Sequence, residues 1–546
     1  TRTGFNLSSV DRWQEGDAML PATSFASIAN RVSYFMNFNG PSTPVDTMCS
    51  SSLTAVHEAC EALRHGNCEM ALAGGVNLLL HPLNYISAST QQMLSPDGRC
   101  KTFGAGANGY VPGEGVGAVV LKRLADAQRD GDMIHATILA TAVNHNGKTN
   151  GYTVPNPKAQ RALLRKAMDA ANIDHETVSY IEAHGTGTEL GDPLEIEAIG
   201  KAFATVQKTK RYVGSVKSNI GHLEAAAGIA GLLKTVMQLK HRKITPSLHS
   251  ETPNSRIDFD RAGVAVPQSV LDWVSSSDQV PLRAGVSSFG AGGANAHAIL
   301  QEAPQPMAAT TRNTDIAEPA LIVLSARSKN ALIRHVKQLA AYLSQNSPPL
   351  HSLAFTLLGG REHMTHRMAF IVSNLGDLRQ ALNDCLQIKP ATCNWFEGTA
   401  VHNDIGLSEL AEDTDFNALQ QTWIAERKFS SLAKFWVQGL SIDWHLLYQD
   451  ASPQRLSLPG YPFEKEVFWK QPKMPGQATP AIKTSSNQLF HPSWRMTTPE
   501  MGTLPERLII LHDHLTQALA QRVADLVPKT FLFDLAKQVT GLQNLL

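Results

Sequence analysis

The chain has no cysteine pair in C-x-x-C spacing, no excess of either charge and no apolar run of membrane-spanning length, and each absence removes a class of function. Its six cysteines, Cys49, Cys60, Cys68, Cys100, Cys385 and Cys393, are scattered over 546 residues. They are too sparse for a disulfide framework and lack zinc-ligand spacing, which fits a reducing compartment. Lysine plus arginine and aspartate plus glutamate are equal at 48 each, so neither nucleic-acid binding nor an anionic membrane surface is suggested. No stretch of about 18 apolar residues occurs, and the opening TRTGFNLSSVDRW lacks the charged-then-apolar pattern of a signal peptide. A soluble, cytoplasmic protein is expected. HExxH, GxxxxGK[ST] and G-x-S-x-G are missing as well, which leaves metal and nucleotide chemistry without support. Gly104, Gly106 and Gly109 do satisfy G-x-G-x-x-G. They lead through Pro112 into a β-branched run instead of opening a helix, so they are read as a loop.

What the chain does contain is a cysteine placed for chemistry. In Val45-Asp46-Thr47-Met48-Cys49-Ser50-Ser51-Ser52-Leu53 an extended run ends in Cys49 and passes into a helix marked by Leu53, Val56, Cys60 and Leu63, closed by Gly66-Asn67. A thiol at a helix N-terminus meets unpaired N–H groups and the positive end of the helix dipole, which lowers its pKa. On these residues alone Cys49 is either a nucleophile or a small buried hydrophobe.

From Met133 onward strands and helices alternate. MIHATILATAVN, VSYIEAH and YVGSVKSN read as strands, PKAQRALLRKAMDAA and GHLEAAAGIAGLLKTVMQLKHR as helices, and RAGVSSFGAGGANAHAIL as two strands around a glycine turn. In DPLEIEAIGKAF, Asp192 is expected as N-cap with Pro193 at the first helical position. This alternation implies a layered α/β domain ending near Pro304. His184 falls at the end of one strand, before Gly185-Thr186-Gly187-Thr188, and His222 at the entrance to the long helix. Strand ends and helix N-termini are where α/β sheets build active sites. Lys217, five residues before His222, is able to orient a histidine or to be a solvated charge. Asn295 and His297 are left between packing and binding.

Four stretches in order, DTMCSSSL, EAHGTGTELGDPLE, VKSNIGHLEAAAGIAGLLK and SSFGAGGANAH, resemble the β-ketoacyl synthase (ketosynthase) domains of modular polyketide synthases. The resemblance implies a thiolase-like layered α/β/α/β/α fold followed by a small α/β linker domain. It implies an acyltransferase of the β-ketoacyl-[acyl-carrier-protein] synthase type, in which Cys49 takes an acyl chain from an acyl carrier protein. His184 and His222 then stabilise the enolate formed as malonyl-carrier protein loses carbon dioxide. Lys217 supports the histidines, Thr186 and Thr188 bind the phosphopantetheine arm, and the N–H groups of Cys49 and Ala291 form the oxyanion hole beside Phe289. The resemblance implies no cofactor or metal bound by the domain itself, phosphopantetheine being carried by the acyl carrier protein. A homodimer is also implied, with no nucleic-acid or membrane partner. LPGYPFEKEVFW and the lack of a GQG or GHSxG acyltransferase signature resemble the trans-acyltransferase type, served by a separate acyltransferase.

The expected organisation is a ketosynthase over 1–303, a linker over 304–319, a post-ketosynthase α/β adapter over 320–394 and an irregular, aromatic-rich segment over 395–470 wrapping back on the ketosynthase. A flexible linker over 471–487 and the start of a further domain over 488–546, with a ketoreductase as the suggested continuation, complete it. Ketosynthases have a longer stretch before their cysteine than the 48 residues here. The N-terminal half is therefore expected to be incomplete, with apolar sheet faces uncovered. Met48 stands where the family commonly has alanine, narrowing one wall of the acyl pocket. Ala291 replaces a frequent phenylalanine gate, opening another. A non-elongating ketosynthase, which only passes acyl chains between carriers, is the alternative reading. A Cys-His hydrolase would leave the second histidine unexplained.

Overall fold

In the computed structural model, residues 24–203, 211–275, 277, 279–304, 319–387, 395–400, 413–448, 453–466, 508–512, 521 and 530–534 are described. The chain divides into two units, Thr1–Glu464 and Lys465–Leu546.

The first unit opens with α1 (Ser27–Met36) and α2 (Ser51–Arg64), followed by β1 (Met70–Asn77), β2 (Gly115–Lys122) and β3 (Ala136–His145). Then come α3 (Pro157–Ala171), β4 (Val178–Glu182), α4 (Gly191–Ala202), β5 (Arg211–Gly214), α5 (Ala227–His241), β6 (Val264–Ala265), β7 (Arg283–Phe289) and β8 (Ala294–Glu302). Helix α3 starts where the sequence places it because the Asn156 side chain accepts the N–H groups of Lys158 and Ala159, with Pro157 at the first position. The six-stranded sheet runs β3-β8-β7-β4-β5-β6. Its β3, β8 and β7 are antiparallel neighbours, whereas β7, β4, β5 and β6 pair in parallel.

Both faces of this sheet are covered, as the apolar content of β4, β7 and β8 demands. Leu163, Leu164 and Met168 of α3 and Ile196 and Ile199 of α4 pack with Ile181 and Val213 on one side. Leu53 and Val56 of α2 and Ile229 and Leu232 of α5 pack with Val286 and Ala298 on the other. Helices α2 and α5 also contact β1. Strands β1 and β2 pair antiparallel as a sheet of two among the described residues. Along β2 the exposure alternates: Val119 and Leu121 face the helices, while Val116 is 75% and Val120 65% exposed. Met70 and Leu72 of β1 are exposed as well. Among the described residues, this face of β1 and β2 therefore leaves apolar side chains exposed.

The next region holds β9 (Ala320–Ala326), α6 (Lys329–Gln345), α7 (Leu350–Gly359), β10 (His366–Val372), α8 (Leu375–Gln387), β11 (Trp395–Thr399), α9 (Thr414–Ala425) and α10 (Phe429–Gln438). Strands β9, β10 and β11 form an antiparallel sheet in that order. Here the sequence expectation needs correcting. Among the described residues of the aromatic-rich stretch after Trp395, β11, α9 and α10 are regular elements instead of irregular chain. Phe429, Leu432, Ala433, Trp436 and Val437 lie at helical spacing on one face of α10, and they fill the core beside β9 and β10 together with Trp444. The helix is only ten residues long, so its period was hidden among turn-like neighbours. Beyond it, the Leu456 N–H donates to Thr356 Oγ1 and the Arg327 N–H to Tyr461 Oη, so the tail continues along this second core. Arg455 reaches back to Asp132 in the first.

In the second unit the described residues include two strands, β12 (Leu508–His512) and β13 (Thr530–Asp534), paired in parallel. The linker over 471–487 and LFHPSWRM lie outside the described residues, as does nearly all of the linker over 304–319.

Candidate active site

Cys49 stands in a strained turn one residue before Ser50, the N-cap of α2. Met48 takes a positive φ of 56°, a conformation costly for a residue with a long side chain. Local hydrogen bonds hold it. The Met48 N–H donates to Asp46, the Ser51 hydroxyl donates to the Met48 carbonyl at 2.6 Å, and that hydroxyl accepts the Thr47 N–H at 2.9 Å. The turn between β7 and β8 clamps it from the other side: the Ser288 hydroxyl donates to the Cys49 carbonyl at 2.7 Å and the Ser50 hydroxyl to the Ala294 carbonyl at 2.9 Å. A Cβ on Gly290 would stand 2.4 Å from the Thr47 carbonyl oxygen, so only glycine permits this approach.

The half-buried Cys49 does not have the lowered pKa expected from its helix. Burial pushes the thiol up to about 11, outweighing the N–H of Ala291, the Lys217 charge and its own N–H, all of which favour the thiolate. Taking a small anion out of water costs more than the first turn of a helix returns. The N–H groups of Cys49 and Ala291, which the resemblance assigns to the oxyanion hole, both favour the thiolate.

The histidines come from the six-stranded sheet. His184 follows β4 and His222 follows β5, and their rings meet edge to face with centroids 5.4 Å apart. His222 is 2% exposed. Its Nδ1 accepts the Glu224 N–H at 2.9 Å, which leaves Nε2 as the protonated nitrogen of a neutral ring. Tyr110 lies edge-on to His222 at 5.0 Å and Phe289 tilts over His184 at 5.6 Å. The surrounding protein and the Lys217 ammonium hold both imidazoles well below the usual histidine range, with His222 adding to the effect on His184. Lys217 is buried and donates through Nζ to the His184 carbonyl.

Thr186 and Thr188 share a hydroxyl–hydroxyl hydrogen bond of 3.1 Å, and Thr188 accepts the Gly191 N–H at the start of α4. That corrects the expected cap. Leu190 occupies the N-cap position and Asp192 lies inside the first turn. Asp192 instead accepts the N–H groups of Phe103 at 2.8 Å and Gly187 at 3.1 Å. Glu195, one turn later, accepts those of His184 at 2.7 Å and Gly185 at 2.8 Å. Two buried carboxylates therefore clamp the histidine loop from beneath, with burial raising Asp192 to about 6 and Glu195 to about 7. Sequence reasoning missed this role. Its signal is two acids three residues apart on the apolar stripe of Ile196 and Ile199. Asn295 and His297 prove to be packing residues: both are buried, Asn295 bonded to Asn144 and Asn146 and His297 to Ser287. Met48 Sδ and Tyr152 Oη flank Gly292, beside the small Ala291.

Among the described residues, no group of three or more His, Cys, Asp or Glu is placed to hold a metal ion, and no helix is long and apolar enough to cross a membrane.

Residues 6–127 match the family model for the β-ketoacyl synthase N-terminal domain, residues 135–251 that for its C-terminal domain, and residues 323–389 that for the RhiE-like KS-MAT linker domain. The chain is 46% identical over 478 residues to polyketide synthase PksL of Bacillus subtilis (strain 168), covering 85% of the chain and 10% of the relative. It is 47% identical over 452 residues to PksM of the same organism, covering 81% of the chain and 10% of the relative. The chain thus spans about a tenth of the length of these curated relatives. Among solved structures, it resembles the ketosynthase from module 6 of the bacillaene synthase of B. subtilis 168 at a TM-score of 0.75 and 42% identity, over 82% of this chain and 78% of that one. It also resembles the ketosynthase from module 1 of the bacillaene synthase of Bacillus amyloliquefaciens FZB42 at 0.73 and 36%, over 83% and 78%. The sheet and its covering helices are accordingly the thiolase-like α/β fold expected from the sequence.

Proposed function

Because the chain belongs to the β-ketoacyl synthase family, as a ketosynthase of the polyketide-synthase type, we propose that it elongates acyl chains by decarboxylative Claisen condensation. The observation that carries this reading is the pair of neutral imidazoles, His184 and His222, meeting edge to face beside Lys217, whose charge acts on both rings and on the Cys49 thiol. A ketosynthase that only passes acyl chains on needs the thiol. It has no use for two preorganised donors.

In the first half-reaction the Cys49 sulfur attacks an acyl thioester presented by an acyl carrier protein. The new C–S bond forms as the carrier's bond breaks, and the thiol proton ends on the departing phosphopantetheine sulfur. The N–H groups of Cys49 and Ala291 stabilise the oxyanion of the tetrahedral intermediate. In the second, a malonyl-carrier thioester places its carbonyl oxygen between the Nε2–H groups of the histidines. The bond to the carboxylate breaks, carbon dioxide leaves, and the electron pair moves onto that oxygen as an enolate stabilised by the two donors. The enolate carbon then attacks the acyl carbon on Cys49, expelling the thiolate, which regains a proton. A β-ketoacyl chain two carbons longer remains on the carrier. Thr186 and Thr188 bind the phosphopantetheine arm, and Lys217, by holding the His184 carbonyl, keeps that loop in place.

The chemistry calls for an acyl carrier protein bearing phosphopantetheine, and the family likeness adds a separate acyltransferase that loads it and a second copy of the chain in a homodimer. LPGYPFEKEVFW and the lack of a GQG or GHSxG signature in the residues that follow support the trans-acyltransferase arrangement. The test loads the full module with a hexanoyl thioester, adds malonyl-carrier protein and follows intact mass. A gain of one ketide unit is expected. Acyl-Cys49 without extension would establish the non-elongating alternative, and release of free hexanoate would establish a hydrolase.

A further inference from the structure

Behind the histidines lies a buried ion pair that the reaction itself does not use. Glu182, the last residue of β4, is buried and so is most of Lys234 on α5, with side-chain exposures of 2% and 11%. Lys234 Nζ donates to Glu182 Oε2 at 2.7 Å and to Tyr180 Oη at 3.0 Å, and the Tyr180 hydroxyl donates to the same carboxylate oxygen at 2.5 Å. The other oxygen, Oε1, accepts the Val216 N–H at 2.6 Å. Space for this carboxylate is reserved: a Cβ on Gly231 would stand 3.1 Å from Glu182 Cγ.

A buried ion pair of this kind rarely adds net stability over an apolar substitute, so its value lies in what it fixes. Here it fixes three things to one point: the end of β4 two residues before His184, the helix that follows His222, and the peptide immediately before Lys217. Lys217 in turn holds the His184 carbonyl, and Glu182 is the carboxylate that acts most strongly on its charge. Cys49 is one step removed from this chain of contacts: its own turn is tied to Ser288 and Ala294 of the β7/β8 hairpin, and α5 meets α2 through the Ile229 N–H on Ser52.

We propose that Glu182 and Lys234 are positioning residues for the decarboxylative half-reaction, setting Lys217 and the two histidines without serving acyl loading. This rests on the elongating reading above. The atomic logic is that a small displacement of two preorganised donors costs rate even where binding survives.

The test compares wild-type module with Lys234→Met, Glu182→Gln and the double variant. Loading is read by intact mass with a hexanoyl N-acetylcysteamine thioester, condensation with malonyl-carrier protein, and folding by Tm. For Lys234→Met, loading is expected within about twofold of wild type, while kcat for condensation falls about tenfold or more with little change in the malonyl-carrier KM. Adding Glu182→Gln removes the stranded charge and keeps an acceptor for Val216, so Tm is expected to recover while condensation, still without the tie to α5, stays down. Loading and condensation falling in equal proportion would reduce the pair to general support and overturn the proposal. So would a Lys234→Met enzyme that condenses like wild type. Wild-type module that loads without condensing would instead remove the elongating reading, and the pair's proposed role with it.

Discussion

The two sheets of the first unit carry the site in different ways. The six-stranded sheet is covered on both faces and delivers His184, Lys217 and His222 on short loops from β4 and β5. The β1/β2 sheet is covered on one face only, and α2, with Cys49 just ahead of it, lies between the two. The deeply supported side holds groups that must not move, because two neutral donors have to meet one oxygen. On the Cys49 side the support is a strained turn, held by its own hydrogen bonds and clamped by the β7/β8 hairpin of the same six-stranded sheet. The difference teaches that the two half-reactions draw on different loops of that sheet, the β7/β8 hairpin for Cys49 and the loops after β4 and β5 for the histidines, and it predicts that they can be damaged separately.

The largest expected effect is on the nucleophile. Cys49→Ala in the full module should abolish acyl loading altogether, measured by intact mass, while leaving the fold and the histidine loop in place; persistent loading would move the nucleophile elsewhere. Next come the sheets themselves. Ile181→Ala, at a fully buried position of β4, should cost about 2–5 kcal/mol. Val120→Ala, on the open face of β2, should stay within about 0.5 kcal/mol. Denaturant unfolding checks both, and equal costs would erase the contrast between the sheets.

The smallest effect is on the clamp beneath His184. Burial raises Glu195 to about 7, so its folded pKa lies above the unfolded value. The folded state therefore holds the extra proton, and this contribution is full below the unfolded pKa and lost as pH rises through the folded one. Glu195→Gln does not titrate. The Tm difference between wild type and Glu195→Gln should move in favour of the variant between about pH 5 and about pH 8. A difference flat with pH would show that the carboxyl is unperturbed. The histidines run oppositely: with depressed pKa values, their contribution is present above the unfolded pKa and fades as pH falls.

How much of this was legible in the sequence differs element by element. Helix α3 could be read residue for residue because Asn156, Pro157 and the apolar spacing agree. His184 and His222 were legible as positions, at a strand end and a helix entrance, although only the resemblance gave them a shared task. The thiol pKa was not legible, because helix polarity is local and written in sequence whereas the burial that outweighs it is set by the tertiary fold. Asp192 misled for a related reason. A cap is a local guess, and its actual partner Phe103 is distant in the chain. The α10 face was visible in hindsight as Phe429, Leu432, Trp436 and Val437, hidden by its shortness.

One measurement bears most directly on the central claim. His184→Ala and His222→Ala modules are loaded with hexanoyl thioester, supplied with malonyl-carrier protein and followed by intact mass. Full occupancy of Cys49 with no ketide extension, from both variants, is the predicted result. Extension by either variant at the wild-type rate would contradict it, because the paired imidazoles would then not be what drives decarboxylation.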